Sequence, residues 1–173
     1  MIDFDHVYVT HYQSAYRVAF GILLDSALAE DVTQEAFTKA YLKRDAYRPI
    51  GTVRAWIHAI VAREAVSRLR WRRLQQRVLD TLGRQPKAPE IDFDAHETVV
   101  RLLGRLSAKT RAVVVLHHLH GYRYREIAGI LGVPEGTVAT RISSGLRQMR
   151  AALETSLDGA DLQPIEETAV GMR

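Results

Sequence analysis

The sequence predicts an all-α protein made of two small helical domains. Along most of the 173 residues, apolar side chains recur at the three- and four-residue spacing of amphipathic helices. No segment alternates convincingly between apolar and polar residues, so no β-strand is predicted. Pro86 and Pro89 lie in a polar stretch that is typical of a linker. The sequence therefore predicts four segments: a domain at 1–82, a flexible linker at 83–95, a domain at 96–153 and an acidic flexible tail at 154–173.

Composition and charge limit the kinds of protein that this chain can be. A hydrophobic fraction of 47% is enough for compact cores, and the formal net charge is +4. The cations are mostly Arg, which suits phosphate and base-edge recognition. The chain contains no Cys, so disulfides and thiolate metal sites are excluded. The N-terminus does not resemble a signal peptide and the apolar runs are too short for a bilayer, so a cytoplasmic protein without membrane insertion is expected.

Three helices are predicted in the N-terminal half, at about 4–24, 27–44 and 53–82. Asp25 can cap the second helix, and Pro49 with Gly51 places a loop before the third. The third helix has a buried apolar stripe, and five arginines lie on its distal part between Arg68 and Arg77. Because charges of opposite sign are not mixed in, this surface favours a polyanionic partner.

The C-terminal half contains the pattern of a helix-turn-helix. Helices are predicted at about 96–106 and at 108–120, the latter capped by Ser107. In the stretch that follows, Gly132 can end a short helix in the left-handed conformation and Pro134 suits the start of the next. The face of this last helix opposite its apolar stripe carries small, polar or cationic residues: Gly136, Thr140, Ser143, Ser144 and Arg147. Such a helix fits the major groove of DNA, so DNA binding is predicted.

Three segments together resemble the extracytoplasmic-function (ECF) sigma factors of the sigma-70 family, over roughly 4–153. The first is Ala29-Glu-Asp-Val-Thr-Gln-Glu-Ala-Phe37, and the second is Gly51-Thr-Val-Arg-Ala-Trp-Ile57 with the Arg-rich helix end that follows. The third is the helix-turn-helix Tyr124–Val138 together with Arg141. A helix-turn-helix alone is common among regulators, but all three segments in this order are specific.

The resemblance implies an alternative sigma factor, in a stress or developmental response, with no enzymatic activity, metal or other cofactor. The implied partners are core RNA polymerase (its β′ clamp helices and β flap), promoter DNA and, as in many members, an anti-sigma factor. The residues implied to bind core polymerase are Asp31, Gln34, Glu35 and Phe37. Those implied for the −10 element are Lys43, Tyr47, Arg48, Arg63, Ser67 and Arg70. Those implied for the −35 element are Thr137, Thr140, Arg141, Ser144 and Arg147.

The sequence departs from the family's pattern on both predicted DNA faces. The long helix carries Arg63 and Ser67 where the family usually has Asn and Asp, so stronger phosphate attraction and a changed −10 preference are expected. The last helix carries Ala139 where the family often has Arg, and Ser143 and Ser144 where it often has larger or basic residues. Readout of the −35 element is therefore expected to depend partly on DNA shape.

Three other interpretations explain less of the sequence. Asp31 and Glu35 are spaced to pair at a metal, but no His follows at matching spacing. The group His117, His118 and His120 suggests metal binding, but there is no Cys to complete the site. A one-component repressor or activator would use the helix-turn-helix alone, and would leave the first two segments of the resemblance unexplained.

Overall fold

The structure, a computed structural model, describes residues 3–46, 51–81 and 97–160. Over these ranges it consists of helices and short connections without strands, which confirms the all-α prediction. The α-helices are α1 (Phe4–Leu23), α2 (Ser26–Leu42), α3 (Val53–Thr81), α4 (Glu97–Gly104), α5 (Ala108–Val114), α6 (Tyr124–Leu131) and α7 (Glu135–Ala160). A short 3₁₀ helix at Arg44–Ala46 follows α2, and a π-helical turn at Val115–Leu119 extends α5. No helix in the described part of the chain is long and apolar enough to cross a membrane.

The tight connection between α1 and α2 is set by two adjacent residues. Leu24 ends α1 in the left-handed conformation, at φ 56°, and its N–H donates to Phe20 O at 2.7 Å. Only 7% of Leu24 is exposed, so burial of its side chain offsets the conformational cost of about 1–2 kcal/mol. Asp25 then caps α2 as predicted, because its Oδ1 accepts from Leu28 N at 2.9 Å.

The long helix α3 contributes both a buried and a cationic surface. Ile57, Val61 and Ala65 are fully buried against α1 and α2, as the apolar stripe predicted. Beyond them the helix extends past the core, and Trp71 and Leu74 are 64% and 50% exposed.

The helix-turn-helix forms where the sequence predicted it, from α6 and the start of α7. Ser107 Oγ accepts from Thr110 N at 3.2 Å and caps α5. Gly132 ends α6 at φ 66°, and α7 begins at Glu135. The last helix continues past the predicted domain end at 153, as far as Ala160.

The N-terminal and C-terminal halves pack against each other through α1, α3, α5 and α6, and their buried side chains belong to one cluster. A Cβ on Gly21 of α1 would lie 2.9 Å from Val115 Cγ1, so a larger residue at position 21 would displace the Val115 side chain. Sequence periodicity had indicated which faces are buried but not that faces of the two halves bury each other.

Candidate polymerase and nucleic-acid interfaces

The polar face of α2 carries the residues predicted to bind core polymerase. Asp31 and Gln34 are exposed, and Glu35 is partly buried in an ion-pair network with α3. Glu35 accepts from Lys39 Nζ at 2.8 Å and from the guanidinium of Arg68 at 2.7 Å. The hydrogen bond from Lys39 lowers the pKa of Glu35 below its usual value, with smaller contributions from both cations. Glu35 is therefore held against α3, while Asp31 and Gln34 face outward.

Phe37 lies beneath this face instead of on it. Only 3% of it is exposed, and its ring packs 5.0 Å from Tyr8 and 5.8 Å from Tyr12, centroid to centroid. The aromatic ring holds α2 against α1. Because it is buried, Phe37 has little surface available for direct contact with a partner. The family resemblance implied Phe37 as a contact residue, whereas its apolar character buries it in the core.

The end of α2 carries a cation beside an aromatic ring. Lys43 is exposed there, and the Arg44 guanidinium lies 4.1 Å from the centroid of the Tyr41 ring, which is itself 48% exposed. The predicted −10 residues Tyr47 and Arg48 lie outside the described residues. Sequence analysis overlooked Tyr41, although an exposed aromatic residue next to an Arg is suited to stacking on an unpaired base.

The three predicted −10 residues of α3 face the C-terminal half. Arg63 donates to two backbone carbonyls of α6, from Nε to Ile130 O at 2.8 Å and from its guanidinium to Gly129 O at 3.1 Å. Ser67 and Arg70 follow it along the same exposed stripe.

This stripe forms one wall of a cavity of about 330 Å³ between the two halves. The polar side chains that line it are Arg63, Ser67, Arg70, Lys109 and Arg141, and the remaining lining residues are apolar. None of the described residues lining the cavity is acidic, so four cations of both halves converge on one cleft. Residues predicted to contact two different promoter elements are thus neighbours in this arrangement.

The recognition helix α7 presents its predicted residues unequally. Thr140 and Arg147 are exposed, whereas Thr137, Arg141 and Ser144 are partly buried. The buried side contains Val138, Ile142 and Gly145, and a Cβ on Gly145 would lie 2.9 Å from side-chain carbons of α5. This close approach holds the recognition helix on α5 and directs Thr140 and Arg147 outward.

A buried histidine at the junction of the halves was missed by sequence analysis. His58 of α3 is fully buried, and its ring nitrogens pair with Ser14 Oγ at 3.1 Å and with Tyr122 OH at 3.0 Å. Burial lowers the pKa of His58 to about 3 and that of His120, whose ring lies 5.2 Å away, to about 4. Both imidazoles are therefore neutral at physiological pH. His58 directly follows Ile57 of the apolar stripe, and this position was the signal that could have revealed it.

The histidines considered as a metal site serve different contacts. His117 Nδ1 pairs with Tyr122 O at 2.8 Å, His118 is exposed, and His120 packs on His58. In the described ranges no group of three or more His, Asp or Glu side chains is arranged to hold a metal ion.

Comparison with known proteins identifies the class to which these two halves belong. Residues 7–75 match the family model of sigma-70 region 2, and residues 96–149 match that of sigma-70 region 4. Over 142 residues the chain is 32% identical to the ECF RNA polymerase sigma factor SigM of Mycobacterium tuberculosis, across 80% of this chain and 70% of SigM. It is 31% identical over 158 residues to SigE of Mycolicibacterium smegmatis, a match that covers 87% of this chain and 61% of SigE.

A solved structure gives the same assignment. The sigma factor RpoE from Bartonella quintana, solved in complex with the anti-sigma factor NepR, is similar with a TM-score of 0.72 and 25% identity, over 88% of this chain and 97% of RpoE. The chain therefore belongs to the ECF RNA polymerase sigma factors of the sigma-70 family, which confirms the resemblance found in its sequence.

Proposed function

We propose that this protein is an alternative sigma factor that binds core RNA polymerase and directs it to promoters with particular −10 and −35 elements. The observation that carries the proposal is the presence of sigma-70 regions 2 and 4, in that order, on one chain. The cationic stripe of α3 and the exposed face of α7 supply a DNA-facing surface in each region. A stress or developmental response is the setting in which we expect it to act.

We assign the polymerase-binding surface to α2. Asp31 and Gln34 are exposed, and the ion pairs of Glu35 with Arg68 and of Lys39 with Glu64 fix the helix face against α3. A preorganised charged face of this kind speeds association and selects its partner more than it adds affinity. The β′ clamp is the proposed partner of this face, and the β flap that of the C-terminal half.

Promoter recognition would use two sets of residues on one scaffold. Lys43, Tyr47, Arg48, Arg63, Ser67 and Arg70 are proposed for the −10 element, and Thr137, Thr140, Arg141, Ser144 and Arg147 for the −35 element. Each set binds weakly, but both act together once polymerase fixes their spacing, so the second contact forms at high effective concentration. The division into domains at 1–82 and 96–153, with a linker at 83–95, is part of this proposal.

The protein would act by binding and not by catalysis of its own. Promoter opening is assisted by the contacts to DNA, while the polymerase carries out the chemistry, without a cofactor bound to this chain. We place the protein in the cytoplasm, where it meets the polymerase. An anti-sigma factor is a proposed further partner, because the structurally similar RpoE was solved with one.

Two charge variants test the polymerase and DNA surfaces separately. Asp31→Lys should weaken binding to core polymerase at least tenfold, measured by fluorescence anisotropy of labelled protein. Asp5→Lys, an equal charge reversal on the exposed first turn of α1, is its control.

Arg147→Ala should retain core binding and reduce run-off transcription about tenfold, the loss of roughly 1.4 kcal/mol expected for one base contact. Arg105→Ala removes an exposed cation elsewhere and should change neither quantity.

Failure of the wild-type protein to bind core polymerase would reject the sigma function and favour a repressor that uses the helix-turn-helix alone. Normal core binding by Asp31→Lys would reject only the assignment of α2 as the polymerase surface.

A further inference from the structure

A second cavity, of about 600 Å³, lies between α1, α3, α4 and the end of the π-helical turn. Its volume is within the range of about 300–1,000 Å³ that is typical of small-molecule sites. None of the described residues that line it is among those proposed to bind polymerase or promoter DNA. The proposed function therefore leaves this cavity unused.

Most of the wall of this cavity is apolar. On α1 the rings of Tyr16 and Phe20 stack with their centroids 6.2 Å apart. The aliphatic side chains that line the cavity are Leu24, Val99, Val100, Leu103 and Leu119. Two of them, Val99 and Leu119, are 48% and 58% exposed, so the cavity presents apolar surface to solvent. An apolar ligand that covered this surface would remove it from water, which is favourable.

The polar groups of the cavity lie together at one end. Ser14 Oγ pairs with the His58 ring at 3.1 Å, and the ring of His120 lies 5.2 Å from that of His58, centroid to centroid. Arg54 donates to His120 O at 3.2 Å, so it belongs to the same group. From Ser14 to Leu24 the helix α1 rises about 15 Å, and the α1 residues that line the far part of this length are apolar. The cavity is therefore amphipathic along its length.

The polar end carries positive charge that nothing nearby neutralises. Arg17 and Arg54 are both exposed and line the cavity, and none of the described lining residues is acidic. No salt bridge within the described ranges involves either arginine. Burial is the main cause of the lowered pKa of His120, and the charges of Arg54 and Arg17 lower it further, which places both guanidiniums near this ring. The planar donor fork of Arg matches a carboxylate, so an anionic group is the favoured occupant of this end.

We propose that this cavity binds a small amphipathic acid, whose carboxylate meets Arg17 and Arg54 and whose apolar body lies along α1 toward Leu24. Sugars and other ligands with many hydroxyl groups fit poorly, because the apolar wall would leave those groups without hydrogen-bond partners. The site would give the protein a ligand besides polymerase and DNA. This inference does not depend on the proposed function.

Isothermal titration calorimetry of the full-length protein tests the ligand class, with octanoate as the probe below the concentration at which it forms micelles. Octanoate should bind saturably at one site, and octylamine, which reverses the charge of the head group, should bind about tenfold more weakly. From hexanoate to decanoate the affinity should rise about threefold for each added CH₂ group, as burial of the chain predicts.

Two variants with matched controls locate the site. Arg17→Met should weaken octanoate about tenfold and leave the neutral octanol unaffected, whereas Arg125→Met, an equal change at an exposed position of α6, should alter neither. Leu119→Ser should weaken octanoate and octanol alike, and Leu42→Ser, at an exposed Leu outside the cavity, should weaken neither. All four positions are exposed, so circular dichroism should show an unchanged fold.

Several outcomes would overturn the proposal. They are the absence of saturable octanoate binding, equal affinity for octanoate and octylamine, and equal losses in Arg17→Met and Arg125→Met. Sedimentation velocity excludes another occupant: a wild-type dimer that dissociates on Leu119→Ser would assign the cavity opening to a second copy of the chain. These measurements use neither polymerase nor DNA, so their result stands whether or not the protein directs transcription.

Discussion

Acid should destabilise the folded protein through His58. Its ring is fully buried between Ser14 and Tyr122, and this burial is the main cause of its lowered pKa, with smaller contributions from His120, Arg54 and His11. The folded-state pKa is about 3, against 6.5 for a free imidazole. Protonation therefore places an unpaired charge in the junction between the two halves.

The sign follows from proton binding in the two states. Between pH 6.5 and pH 3 the unfolded chain binds a proton at His58 that the folded chain does not bind, so stability falls as the pH falls. Linkage gives a loss of roughly 2 kcal/mol from His58 between pH 7 and pH 5. His120, with a pKa of about 4, acts in the same direction.

Urea unfolding followed by circular dichroism at pH 7, 6 and 5 measures this loss. His58→Gln retains a hydrogen-bonding side chain but removes the titration, so its free energy of unfolding should fall about 2 kcal/mol less than that of wild type over the same range. His6→Gln, at an exposed position in the first turn of α1, should behave as wild type does. Equal acid sensitivity of wild type and His58→Gln would refute the assignment of the effect to His58.

Substitutions at four further positions test the packing by urea unfolding. Gly145→Ala should destabilise the fold by about 1–3 kcal/mol, because its Cβ would lie 2.9 Å from two side chains of α5. The Cβ of Gly129→Ala would meet nothing within 4 Å, so this variant should be more stable by about 0.5–1 kcal/mol. Equal effects of the two substitutions would contradict the packing argument. Asp25→Ala should lower the free energy of unfolding by about 1–2 kcal/mol, through loss of the α2 cap and of the ion pair with Arg72. Asp25→Asn should recover most of this loss. An Asp25→Ala variant as stable as wild type would exclude the cap. Phe37→Ala should cost about 3–5 kcal/mol if the ring is core, and a loss below 1 kcal/mol with normal folding would return Phe37 to the contact surface.

The elements were predictable because their signals are local. Asp25 and Ser107 each cap a helix within three residues, and Gly132 has the left-handed conformation that a tight turn requires. The end of α7 was predicted too early, since the apolar stripe stops near Leu153 while the backbone hydrogen bonds need no buried face to continue. Periodicity therefore locates packed faces better than it locates helix ends.

The arrangement of the candidate site was not predictable in the same way. The polar stripe that contains Arg63 was assigned to DNA, because a cation on an exposed face gives no indication of which acceptor it meets. In the folded chain that acceptor is the backbone of α6, more than sixty positions away in sequence. His58 was missed for a related reason: its partners Ser14 and Tyr122 are distant in the chain, and Tyr122 reaches it only when the halves pack.

Mapping of transcription start sites is the most direct test of the central claim. Purified core polymerase would be incubated with a pool of promoter fragments, with and without this protein, and the 5′ ends of the transcripts sequenced. We predict starts that depend on the protein and share two upstream elements at fixed spacing, with Arg147→Ala weakening recognition of the upstream element. Core polymerase that binds the protein but yields no dependent starts from any fragment, or starts without a shared pair of elements, would contradict the account.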